Sequence, residues 1–195
     1  MHGINFTGYE KGMVISVRQL TTQRLLLRSF TKNDWKDLYE YLSDEKVIHY
    51  EPYEVFSEEQ CRHEAIQRSK NDAFLAVCLK DTNKVIGNLY FSEQDFNTWE
   101  IGYVFNNNYQ GFGYATESAR EVLREAFEKL GARRIIAMCN PENTASWRLL
   151  ERLGMRREGH LIKNIYFKKD EEGNPIWQDT YEYALLEEEW RRLNK

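Results

Sequence analysis

Between Trp99 and Asn140 the chain changes its period twice within one short stretch. "TWEIGYVFN" is a strand-like apolar run and "QGFGYA" (Gln110 to Ala115) is a glycine-bearing turn. Ala115, Ala119, Val122, Leu123, Ala126, Phe127 and Leu130 then recur at helical spacing before the apolar run "RRIIAMCN". Gly131 follows the last periodic residue, where a helix commonly ends in the left-handed region that glycine enters without steric cost. A strand, a helix and a second strand joined in this way favour parallel pairing, because the crossover brings the chain back to the end at which the first strand began. A sheet with at least one parallel pair and a helix on one of its faces is therefore expected.

The flanking segments add antiparallel strands and further helices. "RLLLRSF" (Arg24 to Phe30) is a short strand, and Thr31 or Asn33 can cap a helix on which Trp35, Leu38, Tyr39 and Leu42 share a face. Ser57 opens a second helix with an acidic first turn, where carboxylates meet unpaired N–H groups. "AFLAVCLK" and "KVIGNLYFSE" flank "DTNK" as a hairpin. "ENTASWRLLERLGM" is a helix with Leu149, Leu150 and Leu153 inward and Gly154 at its end. "HLIKNIYFKK" and "WQDTYEYALL" are strands around the turn "DEEGNP", and Glu187 to Leu193 forms a last helix. With 195 residues, 42% of them hydrophobic, the chain can bury one sizeable core. The expected division is an N-terminal extension over 1–13 and a single domain over 14–195.

A formal charge of −4 disfavours a broad phosphate-binding surface, so nucleic acid is not an expected partner. The pairs Arg133-Arg134 and Arg156-Arg157 read as solvated surface. Cys61, Cys78 and Cys139 are odd in number and far apart, which supports neither a disulfide framework nor a metal knuckle. "MHGINFTGYEKGM" lacks the apolar core of a signal peptide, and no apolar run approaches a bilayer span. The expectation is a soluble cytoplasmic protein, monomer or homodimer, with no membrane partner and no metal.

The turn is the first candidate site. Glycines before a helix expose backbone N–H groups at the positive end of its dipole, which suits phosphate. Two nucleotide versions of such a turn fail here: no Gly-Lys-Ser/Thr ends it, and Thr116 stands where the dinucleotide fingerprint needs a third glycine. A tight connection with no ligand is the plain alternative.

Gln110-x-x-Gly113-x-Ala115 at a strand-to-helix junction resembles the acetyl-CoA signature of the GNAT acetyltransferase superfamily. "TTQRLLLRSFTKND", "NPENTASWRLLERLGMRREG" and "DTYEYALLEEEW" resemble segments of its RimJ/RimL-like branch, and the likeness runs from about Leu20 to the C-terminus. The resemblance implies an α/β fold of the α+β kind, with a single mixed, centrally splayed sheet flanked by helices. It also implies acetyl-CoA as cosubstrate and an amine as acceptor. The pyrophosphate would meet the backbone of Gln110, Gly111, Phe112, Gly113, Tyr114, Ala115 and Thr116. The pantetheine arm would add beside the preceding strand at Val104 and Phe105.

By the same resemblance Asn143 contacts the cofactor and Ser146 faces its sulfur. Asn143 reads equally well as a helix cap, and Ser146 can also be a capping residue. A serine hydroxyl is a poor acid, so hydrogen bonding to the departing thiolate is the better role for Ser146. Tyr166 and Tyr103 are better matched acids, although tyrosine in an aromatic-rich core is commonly packing with a tethered hydroxyl. Glu100, on the strand entering the site, is the candidate proton acceptor, with an exposed strand carboxylate as the alternative. Alternation puts it on the face of Gly102 and Val104, opposite Ile101 and Tyr103. Some RimL-like enzymes carry a second acidic residue where Ile165 stands before Tyr166.

Acceptor choice follows from proton cost. An α-amine of pKa near 8 costs about 1 kcal/mol to deprotonate at pH 7, and a lysine amine roughly 4 to 5 kcal/mol. An α-amine, as at a ribosomal protein's N-terminus, is the easier substrate. The acidic segment "SDEKVIHYEPYEVFSEE" could attract a cation through Asp44, Glu45, Glu51 or Glu54, or be a solvated loop, and His49 reads as a loop or packing residue. An aminoglycoside or polyamine acetyltransferase and a catalytically silent CoA-binding sensor are the alternatives.

Overall fold

The computed structural model describes residues 19–195, so the expected N-terminal extension lies outside the described residues. In chain order the elements are β1 (Gln19–Thr21), β2 (Leu25–Ser29), α1 (Trp35–Leu42), α2 (Glu45–Ile48), α3 (Glu58–Arg68), β3 (Phe74–Leu79) and β4 (Val85–Gln94). They continue as β5 (Thr98–Phe105), α4 (Tyr114–Glu128), β6 (Arg134–Cys139), α5 (Thr144–Arg152), β7 (Arg156–Lys169), β8 (Pro175–Leu186) and α6 (Glu187–Leu193). All eight strands form one sheet in the order β1-β2-β3-β4-β5-β6-β8-β7.

The crossover from β5 through α4 to β6 makes the parallel pair expected of it, while every other pairing is antiparallel. That ladder is short. Thr98, Trp99 and Glu100 pair with Arg134, Ile135 and Ile136, and there it ends. Beyond Glu100, β5 stays paired with β4 as far as Phe105 opposite Gly87, and β6 stays paired with β8 as far as Cys139 opposite Tyr181. The sheet is thus split along its centre, with one long half on either side of the opening.

Period-two alternation sorts side chains into two cores, one on each face. Leu25 and Leu27 of β2, Leu75 and Val77 of β3, and Trp99, Ile101 and Phe105 of β5 pack beneath α4 and α5. Ala76 and Cys78 of β3 and Val104 of β5 face Leu38, Tyr41 and Leu42 of α1 and Ala65 of α3. Val104 and Ile101 join different clusters, so Glu100 points to the α1/α3 face, as the alternation predicts. A polar network is buried on that face: Tyr41 donates to Asn88 Oδ1 (3.0 Å), and Arg68 donates to the same oxygen (2.9 Å) and to Glu64 (2.7 Å).

Helix boundaries follow the expected caps with small changes. Thr31 does cap, but it opens a short 3₁₀ turn over Lys32–Asp34 that runs on into α1. Ser57 caps α3 in a reciprocal box with Gln60, and Gly131 and Gly154 sit at φ +71° and +85° after α4 and α5. Two elements escaped the sequence reading: β1, a three-residue edge strand, and α2, a single turn begun by Asp44, whose carboxylate accepts from Lys46 N at 2.9 Å. The strand "RRIIAMCN" is buried on one side only, since Met138 is half exposed.

Gly87 marks a close approach at the end of β5. A Cβ there would lie 2.6 Å from both the Val104 carbonyl oxygen and a Phe105 ring carbon. Gly87→Ala should cost about 1–3 kcal/mol, the usual scale of overpacking, measured as a lower unfolding midpoint in urea with an unchanged m value.

Candidate active site

The turn expected to hold phosphate is built as a cradle. Gly111 and Gly113 lie at φ +83° and +81°, a region that side chains strain to enter, and a Cβ on Gly111 would meet nothing within 4 Å. The glycines are therefore demanded by backbone conformation, and what lies in front of Gly111 is open. Gly113 is the residue before α4, and its carbonyl accepts the N–H of Glu117 at 3.0 Å. The N–H groups of Tyr114, Ala115 and Thr116 precede that first helical bond and carry the positive end of the helix dipole. An open groove runs from Gly113 and Thr116 along α4, with Arg120 and Arg152 among its lining residues.

Sequence reasoning missed what holds the turn. The Arg24 guanidinium donates to the Phe112 carbonyl (3.0 Å) and to Glu117 (2.7 Å), and it lies 4.5 Å above the Tyr114 ring. Glu117 also accepts from the Thr22 hydroxyl (2.5 Å) and the Arg24 N–H (3.0 Å). Burial alone would raise the Glu117 carboxyl, but these donors outweigh it and hold the group below the ordinary carboxylate range. The only signal in the sequence was a basic residue opening "RLLLRSF", which carries no spacing rule.

At the other end of the opening stand Ser146 and Tyr103. Asn143 caps α5, its Oδ1 accepting the Ser146 N–H at 3.1 Å. Ser146 lies in the first turn of α5 with its hydroxyl turned outward to the Tyr103 hydroxyl at 2.9 Å, so it is not the cap. Tyr103 also donates to the Ser146 carbonyl at 3.0 Å. With its one proton given there, its oxygen can accept the proton of Ser146 Oγ. Burial pushes the Tyr103 phenol above its ordinary range, so it stays protonated. Burial likewise pushes the Cys139 thiol up to about 11, while the Ser146 hydroxyl beside it works the other way. Cys139, at the end of β6, was not foreseen as a neighbour of this pair.

Other expected residues fall elsewhere. Tyr166 packs edge-on against Trp177 at 5.2 Å on the β7–β8 hairpin and is 42% exposed. The tyrosine beside Ser146 is Tyr103, because β5 borders the opening and β7 is an edge strand two places beyond β6. Ile165 pairs with Gln178 on the same hairpin. Glu100 is half buried, at the last parallel pair, and burial raises its carboxyl. His49 meets the Tyr50 ring edge-on at 4.6 Å. The arginine pairs are engaged within the fold: Arg134 and Arg156 both pair with Glu158, and Arg157 lies over Tyr181.

A glycine cradle before a helix, an opening through a mixed sheet and a serine at its mouth were the features of the expected superfamily, and residues 24–156 match the family model described as acetyltransferase (GNAT) domain. The chain belongs to that family. An uncharacterized N-acetyltransferase of Bacillus subtilis, YnaD, is 44% identical over 177 residues, covering 88% of this chain and 98% of the relative. The crystal structure of a GNAT-family acetyltransferase from Bacillus anthracis superposes with a TM-score of 0.79 at 40% identity, over 87% of this chain and 99% of that one. The spermidine N-acetyltransferase of Vibrio cholerae, solved with CoA and spermine, shares the fold at a TM-score of 0.71 and 19% identity, over 87% and 99%. The chain is accordingly an acetyl-CoA-dependent N-acetyltransferase that acts on an amine. Among the described residues no helix is long and apolar enough to cross a membrane.

Arg24→Ala should weaken acetyl-CoA binding about 10- to 100-fold, the scale of hydrogen bonds to charged groups, because the Phe112–Gly113 segment loses its anchor. The Arg24–Glu117 pair is partly exposed, with the Arg24 side chain 43% accessible, so the unfolding midpoint should hardly move. Titration calorimetry beside a thermal melt separates the two effects.

Proposed function

We propose that this GNAT enzyme acetylates a weakly basic primary amine, first among them the α-amine of a protein N-terminus in the manner of the RimJ/RimL-like branch. The observation that carries this reading is the Tyr103–Ser146 hydrogen-bonded pair at the mouth of the β5–β6 opening. In this reading the pyrophosphate rests on the backbone from Gln110 to Thr116. The pantetheine arm lies along β5 at Val104 and Phe105, with Asn143 beside it. A backbone N–H of β5 left free by the split polarises the thioester carbonyl.

Ser146 then faces the sulfur. Its hydroxyl hydrogen-bonds the thiolate as the carbon–sulfur bond breaks, and Tyr103, protonated and tethered, keeps that hydroxyl in place. The amine enters from the α1/α3 face, where Glu100 points, so the two reactants approach from opposite sides of the sheet. Preorganised donors on one side and a carboxylate on the other suit an amine that must shed a proton. Proton cost favours an α-amine over a lysine side chain by roughly 3 kcal/mol at pH 7.

Two measurements test the reading. Titration with acetyl-CoA and with 3′-dephospho-CoA should give micromolar binding of the first, and binding of neither would remove the cofactor assignment. Ser146→Ala should lower kcat about 10- to 100-fold with little change in acetyl-CoA affinity, the loss expected for one hydrogen bond to a charged atom. Turnover of spermidine or an aminoglycoside but of no N-terminal peptide would move the acceptor to small-molecule amines.

A further inference from the structure

The antiparallel ladder between β6 and β8 ends at Cys139 opposite Tyr181. From there β6 leaves the sheet for α5, while the part of β8 before Tyr181 pairs with β7, Gln178 opposite Ile165 and Trp177 opposite Tyr166. Where the backbone ladder stops, a side-chain bond takes over: Asn140 Nδ2 donates to Gln178 Oε1 at 3.1 Å, across 38 positions of chain. Both residues are half buried. The other groups of Asn140 are turned inward on its own loop. Its Oδ1 accepts the Glu142 N–H at 2.8 Å and its carbonyl accepts the Asn143 N–H at 3.0 Å, so the β6–α5 connection is wound around this one residue. A side-chain amide has one oxygen and one nitrogen. With the oxygen held by the turn, the nitrogen faces outward and needs an acceptor from elsewhere in the fold, which Gln178 supplies.

The next link is α5. The Ser146 N–H is accepted by both Asn143 Oδ1 (3.1 Å) and the Asn143 carbonyl (3.0 Å), and the Ser146 hydroxyl meets Tyr103 at 2.9 Å. Three residues thus join β8 to the hydroxyl pair: Gln178 fixes Asn140, the turn on Asn140 sets Asn143, and Asn143 sets the first turn of α5. Tyr103 belongs to β5, and beyond Glu100 no ladder ties β5 to β6. The meeting of Ser146 and Tyr103 therefore depends on where α5 begins. Gln178 is the contact that refers that starting point to the β7–β8 half of the sheet.

We infer that Asn140 and Gln178 are positioning residues for Ser146, their amide–amide bond holding the first turn of α5 where the serine hydroxyl can serve the departing sulfur. This rests on the acetyltransferase reading above and deepens it by naming what keeps Ser146 in place. Both residues act through the serine, and neither amide takes or gives up a proton at neutral pH. A hydroxyl displaced by about 1 Å no longer makes the hydrogen bond that the transition state requires, a misplacement of the size that slows catalysis by up to about 100-fold.

The test measures kcat, KM and acetyl-CoA affinity, with whichever of an alanine-initiated tetrapeptide, spermidine and an aminoglycoside wild type acetylates fastest. Gln178→Leu removes the acceptor and should lower kcat about 10-fold, more than it raises the acetyl-CoA Kd. Gln178→Glu keeps an oxygen for Asn140 Nδ2 and should recover most of that loss. Asn140→Asp should do likewise, since a reversed Gln178 amide can donate to the new carboxylate. Asn140→Asp combined with Gln178→Glu leaves two carboxylates and no donor, so the double variant should fall as far as Gln178→Leu. This pattern follows hydrogen-bond complementarity rather than side-chain bulk, and it keeps the test open should Gln178→Leu fail to fold. In the Ser146→Ala background, Gln178→Leu should lower kcat by less than about 2-fold further, because its effect passes through the serine. The same loss in that background as in wild type, or wild-type kcat in both Gln178→Leu and the double variant, would overturn the inference and leave the reading intact. Wild-type turnover in Ser146→Ala would remove the serine's role from the reading and take the inference with it.

Discussion

The rest of the site depends on the failure of β5 and β6 to remain paired. Three parallel pairs join them, and then each strand keeps only its outer neighbour. Unpaired backbone groups inside a sheet are costly unless they find partners, so an opening of this kind survives where a polar ligand can complete it. The long antiparallel ladders on either side supply the rigidity, since β4 holds the whole of β5 and β8 holds the whole of β6. Gly87, by permitting contact with the end of β5, helps to set where the free segment lies.

The opening also separates the two halves of the chemistry. On the α4/α5 side, donors dominate: the N-terminal N–H groups of α4, the Ser146 hydroxyl and the Tyr103 phenol. On the α1/α3 side, burial raises the carboxyls of Glu100 and Glu51 above their ordinary range. In the proposed reading, the anionic cofactor meets donors on one face and a cationic acceptor meets carboxylates on the other. The buried Arg68 is satisfied by Glu64 and Asn88, so it braces this second face from within. A similar economy operates at Arg24, where pairing with Glu117 leaves the guanidinium to shape the turn by holding Phe112.

Much of the fold was legible because its elements announce themselves locally. Ser57 with Gln60, Gly131 and Gly154 follow capping rules that act within one turn, and the alternation in β5 sorted Glu100 from Tyr103 correctly. The elements that were missed, β1 and α2, are too short to show a period and exist through pairing with β2 and packing of Ile48. Roles assigned to single side chains fared less evenly. Tyr166 and Tyr103 were weighed alike as phenols, but β7 lies at the edge of the sheet, and it is Tyr103 that stands beside Ser146.

By itself the sequence determined the crossover, its parallel pairing, the glycine cradle and the serine-bearing helix, because helix caps, turn conformations and strand alternation are set by residues a few positions apart. Tertiary structure alone decided that Arg24 would hold a turn 88 residues away and that Tyr103 would meet Ser146 across 43. It alone also decided that Glu51 would be half buried while Glu54 remained exposed. Proximity and desolvation are properties of packed elements. No local pattern encodes them, since they arise only when distant segments close over one another.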